Sequence, residues 1–462
     1  MIGWFRVLTR AAAVALTAAL ATAPARAETL ADALIAAYKN SNLLDQNRAV
    51  LRAADEDVAV AVAQLMPVIS YTIQAGWSRT ETTTFFGTPT IVEATNASLT
   101  LSAELLLWDF GRRDLGIEIA KGSVLATRHA LVNVEQQVLL AAVQSYVNVL
   151  LTQEIVALRQ SNVRLITQEL RAAQDRFDVG EVTRTDVAIA EARLAAARSA
   201  LSAAEGDLMV SRESYKAATG AYPGKLAPLP PSPRIGKTLE EAQAVARKGH
   251  PLVRQAQELV TVAEFRVKLA DAAMKPTLGL GTAITMQDDG SVDEQLGLTF
   301  RQTIYAGGEF SALYRKAIAG NDTARAQLGQ TVVAVLQNVG NAWASLAVFA
   351  ASIEASDRQI RAAQTAFDGV REEATLGART TLDVLNAEQE LLDARAGRLQ
   401  AEAGRYIAVY QVLSAMGLLT VDHLGLNITT YDPEAYYDAV KNAPATSSQG
   451  KKLDRILEKI GD

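Results

Sequence analysis

The chain has 462 residues and a formal net charge of −6, with 51 acidic and 45 basic side chains. This acidic balance argues against nucleic acid as a partner, because binding to phosphates requires an excess of Lys and Arg. The chain contains no cysteine, which excludes disulfide bonds and any lipid attached through a cysteine side chain.

Residues 1–27 have the pattern of a secretory signal peptide. Arg6 and Arg10 form a basic start, an apolar run follows, and Ala25 and Ala27 form an A-x-A cleavage site. The apolar run has about eleven residues, whereas a membrane-spanning helix needs about 20. We therefore expect cleavage after Ala27, which makes Glu28 the first residue of the mature chain.

The rest of the sequence repeats itself at nearly constant offsets, which indicates a duplicated architecture. Pro67 matches Pro276, 209 residues later, and Gly180 matches Gly377, 197 residues later. We divide the chain accordingly into a signal peptide (1–27), a first repeat (28–220), a Pro-rich connector (221–237), a second repeat (238–417) and a C-terminal segment with a mobile tail (418–462).

Each repeat contains two stretches in which apolar residues alternate with small or polar ones, the pattern of a β-hairpin. The stretches are residues 69–78, 97–105, 277–286 and 296–301. The first three have the length of tilted membrane strands, about 9–11 residues, and Trp77, Trp108 and Tyr305 lie near the predicted strand ends, where interfacial aromatic residues are expected. The alternative is an amphipathic sheet on a soluble core, but the small, polar second face favours a water-filled lumen.

Four strands cannot close a barrel, and open sheet edges are not tolerated in lipid. If the strands are transmembrane, the chain must therefore form an oligomer that pools them. Two chains would give eight strands and three would give twelve, and the strand pattern does not choose between these numbers.

Long helices are predicted after each hairpin, since apolar residues recur at helical spacing there. No proline occurs between Gly111 and Gly180, or between Gly307 and Gly377. A continuous helix over either interval would be roughly 100 Å long. Each repeat also begins with a stretch predicted as a single helix, residues 29–66 and 238–275.

Each long helix is predicted to end at a glycine in the left-handed conformation, Gly180 or Gly377. A shorter helix then returns, and a threonine is expected to cap its first turn. The candidate caps are Thr183 or Thr185 in the first repeat and Thr380 or Thr381 in the second.

In the order of these features, the chain resembles the TolC-type outer-membrane channels of efflux pumps and type I secretion systems. The resemblance covers essentially the whole mature chain, including the Gly111 and Gly307 strand-to-helix junctions, the duplicated glycine turns and the Pro-rich connector. It implies an α+β membrane protein, a homotrimer whose 12-stranded β-barrel takes four strands from each chain. That barrel would lie in outer-membrane lipid and continue into a long periplasmic α-helical barrel, with the connector and residues 418–462 forming an equatorial belt.

The resemblance also implies the exit duct of a tripartite export system, which carries drugs or secreted proteins outward and is gated at its periplasmic tip. Its partners would be a periplasmic adaptor protein and an inner-membrane ABC or proton-driven transporter. A periplasmic adaptor is one alternative, but it predicts a single helical hairpin and no membrane-type strands. A passive porin is another, but it would lack helices of about 100 Å.

An enzyme is not expected, and neither a cofactor nor a metal is predicted. His129, His250 and His423 are the only histidines, and none has metal-ligand spacing to another. The sequence contains no nucleophile elbow and no P-loop.

The resemblance implies roles for residues at the two glycine turns. Rings of acid line the mouth of such channels, and the matching residues here are Asp383 and Asn386, so the deeper ring is neutral. A closed-state latch would join Arg379 to Thr185 and Asp186 of a neighbouring coil, while Ala374 replaces a latch tyrosine. The expected adaptor-contacting tips are Val179, Gly180, Glu181, Leu376, Gly377 and Ala378.

Overall fold

A computed structural model describes residues 27–83, 87, 89–441 and 455. The predicted signal peptide lies outside the described residues except for Ala27, and so does the predicted mobile tail except for Arg455. Cleavage after Ala27 and the boundaries of the five segments therefore stay predictions.

The two repeats contain the same elements in the same order: two helices, a β-hairpin, a very long helix and a shorter one. The first repeat consists of α1 (Leu30–Asn40), α2 (Asn42–Ala63), β1 (Val68–Thr83), β2 (Pro89–Trp108), α3 (Arg112–Asp178) and α4 (Arg184–Thr219). The second consists of α5 (Leu239–Gly249), α6 (Pro251–Ala272), β3 (Thr277–Gln287), β4 (Val292–Arg301), α7 (Glu309–Thr375) and α8 (Thr381–Ala415). A short helix that was not predicted, α9 (Pro433–Val440), follows in the C-terminal segment.

The prediction of one continuous helix at the start of each repeat was wrong, because each is broken in two. His250 is extended between α5 and α6, as expected for a residue before proline, since the ring of Pro251 disfavours the helical conformation there. Ser41 is likewise extended between α1 and α2, and no proline marks that break.

The four strands form one antiparallel sheet in the order β1-β2-β3-β4, as the duplicated hairpins predicted. β3 and β4 have 11 and 10 residues, but β1 and β2 have 16 and 20, longer than expected. β1 extends through the threonines that follow Trp77, and β-branched threonine favours strands. Trp77 therefore lies within β1 and not near its end.

The prediction of two uninterrupted long helices is confirmed, since α3 and α7 have 67 residues each, or roughly 100 Å. Each contains an 18-residue stretch apolar enough to cross a membrane, by length and composition alone. The stretch in α3 is 44% buried within the chain, but that in α7 is only 11% buried. The apolar stretch of α7 is thus less buried within its own chain than the stretch of α3.

The described chain forms two compact units. The first contains residues up to 41, 138–235 and 342–412, and its core includes Leu139, Val143 and Tyr146. It holds both glycine turns.

The second unit contains residues 42–137, 236–341 and those from 413 onward, and so holds the whole sheet. In its core Leu51, Val58 and Val124 pack together, with Tyr431 and Tyr437 of the C-terminal segment against them.

Candidate gate at the helical turns

Both glycine turns adopt the predicted left-handed conformation. Gly180 has φ of +82° and Gly377 has φ of +78°, a region that residues with a side chain rarely adopt. The next residue in each turn closes back on the long helix: the Glu181 N–H donates to the Arg176 carbonyl and the Ala378 N–H to the Glu373 carbonyl, both at 2.9 Å. Two long helices therefore end in the same way.

The caps of the return helices are Thr183 and Thr380, one candidate from each predicted pair. The Thr380 hydroxyl accepts the Asp383 N–H at 3.2 Å, while Asp383 Oδ2 accepts the Thr380 N–H at 3.0 Å and its hydroxyl at 2.8 Å. Thr183 and Asp186 make the same reciprocal contacts. This is a capping box with aspartate in the third position.

The capping role of the two aspartates was missed, although the Thr-x-x-Asp spacing in the sequence could have indicated it. Two of the predicted site residues, Asp186 and Asp383, are thereby fixed at the start of their helices. The bonds from the Thr380 backbone and hydroxyl favour the ionised form of Asp383 and hold the pKa of its carboxyl below the usual range. Asp383 is therefore a fixed negative charge at neutral pH.

The two turns lie side by side and line one cleft of about 510 Å³. Five predicted site residues are brought together there: Glu181, Asp186, Leu376, Gly377 and Arg379. The remaining turn residues, Val179, Gly180 and Ala378, lie in the same two turns but do not line the cleft. Val179 and Leu376 are 72% and 84% exposed, so each turn presents an apolar side chain to its surroundings.

Arg379 is engaged by an acid that the sequence analysis did not single out. Its Nε donates to Glu373 Oε2 at 2.7 Å, and this bond raises the pKa of the guanidinium. Ala374, the residue in place of a latch tyrosine, is buried with Phe367, Val384 and Leu391. The contact from Arg379 to Thr185 and Asp186 of a neighbouring coil stays a prediction.

The face of α8 beyond the turn carries Asp383 and, one turn later, Asn386. Asn386 Oδ1 accepts a hydrogen bond from Arg193 Nη2 of α4 at 2.8 Å. Nothing in the sequence analysis pointed to Arg193. The neutral position of the predicted mouth therefore has a cation bound to it.

Glu388 of α8 and Glu191 of α4 lie at equivalent positions of the two repeats, 197 residues apart, but only Glu191 is exposed. Glu388 is only 5% exposed and lines a cavity of about 280 Å³. Its Oε1 accepts the Asn162 side-chain N–H at 2.7 Å, and Oε2 has no hydrogen-bond partner among the described residues. Burial raises the pKa of this carboxyl to about 7; nearby Glu169 also raises it, and Arg371 opposes the rise.

Within the part of the chain that the structure describes, no group of three or more His, Cys, Asp or Glu side chains is placed to hold a metal ion. The two turns contain the charged side chains of Asp383 and Arg379, two capping boxes, and the exposed apolar side chains of Val179 and Leu376.

The sequence profile of a family described as "Outer membrane efflux protein" matches residues 33–221 and 244–418, the body of each repeat. The chain belongs to this outer membrane efflux protein family. Among curated relatives, it is 36% identical over 443 residues to the outer membrane efflux protein BepC of Brucella suis biovar 1 (strain 1330), covering 94% of this chain and 95% of BepC.

The chain is also similar to the outer membrane protein TolC of Escherichia coli (strain K12), at 26% identity over 69% of each chain. Among solved structures, CusC has the same fold, with a TM-score of 0.75 at 19% identity over 85% of this chain and 92% of CusC.

Membership in the outer membrane efflux protein family confirms the TolC-type interpretation and its fold class. It also confirms the function drawn from the resemblance: the chain is an exit duct of the outer membrane in an export system. Members of the family are channels. The alternatives of a periplasmic adaptor and a passive porin are set aside, as the described chain has two helical hairpins, four strands and two helices of about 100 Å.

Proposed function

We propose that three copies of this chain form one duct. It receives drugs or secreted proteins from an inner-membrane transporter, of the ABC or proton-driven type, through a periplasmic adaptor. The observation that carries the proposal is the open sheet: in the described chain, β1 and β4 each pair with one neighbour only. An unpaired strand edge is not tolerated in lipid, so β4 of one chain pairs with β1 of the next.

The two faces of the sheet support a position between lipid and water. On β1, Ile69, Tyr71 and Ile73 are about 70% exposed and lie on one face. The other face is polar, and its side chains bond across strands, with Thr100 and Thr285 hydroxyl oxygens 3.0 Å apart. The apolar face is proposed to contact lipid and the polar face to line the lumen.

Three chains fit a duct better than two. Two chains would supply eight strands, a barrel that side chains fill, whereas twelve strands leave a wider interior. The exposed apolar surface of α7, which includes Val333 and Val348, then packs against the neighbouring chain. The proposed assembly covers both the strand edges and this helical surface.

Glu28, the predicted mature N-terminus, is held from several sides, which supports cleavage after Ala27. Its N–H donates to the Lys225 carbonyl at 2.8 Å. Its carbonyl accepts from the Tyr146 hydroxyl at 3.0 Å, and its carboxylate accepts from the Tyr215 hydroxyl. The mature chain would thus begin at a residue that several hydrogen bonds anchor.

The gate is proposed at the two glycine turns. The exposed Val179 and Leu376 would contact the adaptor, together with Gly180, Glu181, Gly377 and Ala378. Three Asp383 carboxylates would form a ring that concentrates cations at the mouth. In the closed state Arg379 would exchange Glu373 for Thr185 and Asp186 of a neighbouring coil, a charge-assisted contact.

Replacement of Arg379 tests the gate. Arg379→Ala removes the only cation of the proposed latch, so the closed mouth loosens and single-channel conductance in planar bilayers rises. The matched control is Arg358→Ala, since Arg358 is an exposed α7 arginine paired one turn away with Glu354 at 3.2 Å. If the wild type and Arg379→Ala have equal conductance, Arg379 does not belong to the latch.

A further inference from the structure

The two repeats are joined at the mouth by a polar contact that the proposed gate does not use. Arg193 Nη2 of α4 donates to Asn386 Oδ1 of α8 at 2.8 Å, across 193 residues of sequence. Leu385, the neighbour of Asn386, packs with Ala190, Leu194 and Ala197 of α4. A packed apolar contact therefore holds Arg193 beside α8.

Arg193 changes the charge of the mouth because of where Asn386 lies. Asn386 is three residues after Asp383 on α8, and residues at this spacing share one face of a helix. A guanidinium is charged at every physiological pH. Each chain thus brings one fixed negative and one fixed positive charge to this face. Arg379 also interacts electrostatically with Asp383, but its hydrogen bond is to the acid Glu373.

We propose that Arg193 is a selectivity-determining residue of the duct: its guanidinium offsets the Asp383 carboxylate, so that anionic cargo and small anions pass the mouth as well as cations. Asn386 positions Arg193, since a neutral amide oxygen accepts its hydrogen bond without cancelling its charge. This inference rests on the proposed location of the mouth at Asp383. The inference places a cation at the mouth, where Asp383 and Asn386 alone were expected to give one acidic and one neutral ring.

The test is the reversal potential of the full trimer in planar bilayers under a KCl gradient. Arg193→Gln keeps a hydrogen-bond donor for Asn386 and removes the charge. The cation-to-anion permeability ratio is expected to rise about twofold. In water, a unit charge roughly 8 Å from a passing ion changes the local concentration of that ion by about this factor. Arg193→Lys keeps the charge and is expected to keep the wild-type ratio.

The matched control is Arg198→Gln, which makes the same charge change at an exposed position of the same helix and is expected to leave the ratio unchanged. Asp383→Asn tests the mouth itself and is expected to lower the ratio. If Asp383→Asn lowers it while Arg193→Gln leaves it at the wild-type value, the role of Arg193 is overturned and the mouth stands. If neither variant changes it, the mouth assignment is overturned as well.

A double variant tests the Arg193–Asn386 contact even if one of the single variants is less stable than the wild type. Asn386→Asp restores an acid at the second position, and Arg193 would neutralise it. The rise in cation preference caused by N386D is therefore expected to be larger in the R193Q background than alone. Equal rises in both backgrounds would show that Arg193 does not act at Asn386, and would overturn the proposal.

Discussion

Single residues at equivalent positions of the two repeats have different environments, and Glu191 and Glu388 are the clearest pair. Glu191 is exposed on α4, whereas Glu388 is buried on α8 with one carboxylate oxygen bonded to Asn162. The sequence places both on helices at matching positions. It does not show which face of α8 packs against α3, so burial of Glu388 could not be predicted.

The burial of Glu388 predicts a pH-dependent stability. Its pKa is raised by burial from 4.5 to about 7, so the folded chain binds this proton more tightly than the unfolded chain. The resulting stabilisation is full below pH 4.5 and is lost as pH rises through about 7. It amounts to at most about 3 kcal/mol per chain.

Glu388→Gln keeps an acceptor for Asn162 and cannot ionise. The difference in thermal midpoint between this variant and the wild type should therefore grow from pH 5 to pH 8 in favour of the variant. Glu191→Gln, at the exposed counterpart, should follow the wild type at every pH. A difference for Glu388→Gln that stays constant from pH 5 to pH 8 would contradict the assigned titration.

Other residues of the proposed gate could be predicted from the sequence only in part. The left-handed Gly180 and Gly377 were expected from their positions at helix ends, since few other residues adopt that conformation. The Thr-x-x-Asp spacing was in the sequence, but the aspartates were interpreted by resemblance alone. Arg193 carries no sequence signal at all, because its role depends on the packing of two helices from different repeats.

Among the elements, the long helices were the most predictable, as proline is absent over each interval and glycine ends each one. The strand lengths were less so, because threonine occurs in both loops and strands, and the threonines after Trp77 continue β1. The break at His250 could have been read from Pro251. The break at Ser41 has no comparable mark.

Close packing between α7 and α8 gives a prediction at the same scale. A Cβ added to Gly404 of α8 would overlap the ring of Phe349 of α7, whereas one added to Gly397, also on α8, would meet open space. Alanine in a helix interior is favoured over glycine by about 1 kcal/mol, but overpacking costs about 1–3 kcal/mol.

Gly404→Ala is therefore expected to lower the thermal midpoint and Gly397→Ala to raise it. Circular dichroism of the two variants in detergent measures both effects. A rise for both variants would mean that Phe349 moves aside without cost, and that α7 and α8 do not depend on a glycine for their approach.

At the scale of the whole molecule, one chain is incomplete. Its sheet has two open edges among the described residues, its β1 and β4 side chains are exposed throughout, and only 11% of the apolar stretch of α7 is buried within the chain. The need for partners followed from the sequence, because four strands cannot close a barrel in lipid. The number of chains did not, since strand count alone allows two or three.

The mass of the detergent-solubilised mature protein tests this account most directly. Light scattering coupled to size-exclusion chromatography, corrected for bound detergent, gives the number of chains in the particle. We predict three chains, each beginning at Glu28 by N-terminal sequencing. A particle of one chain would contradict the shared barrel, and a particle of two chains would contradict the twelve-stranded duct.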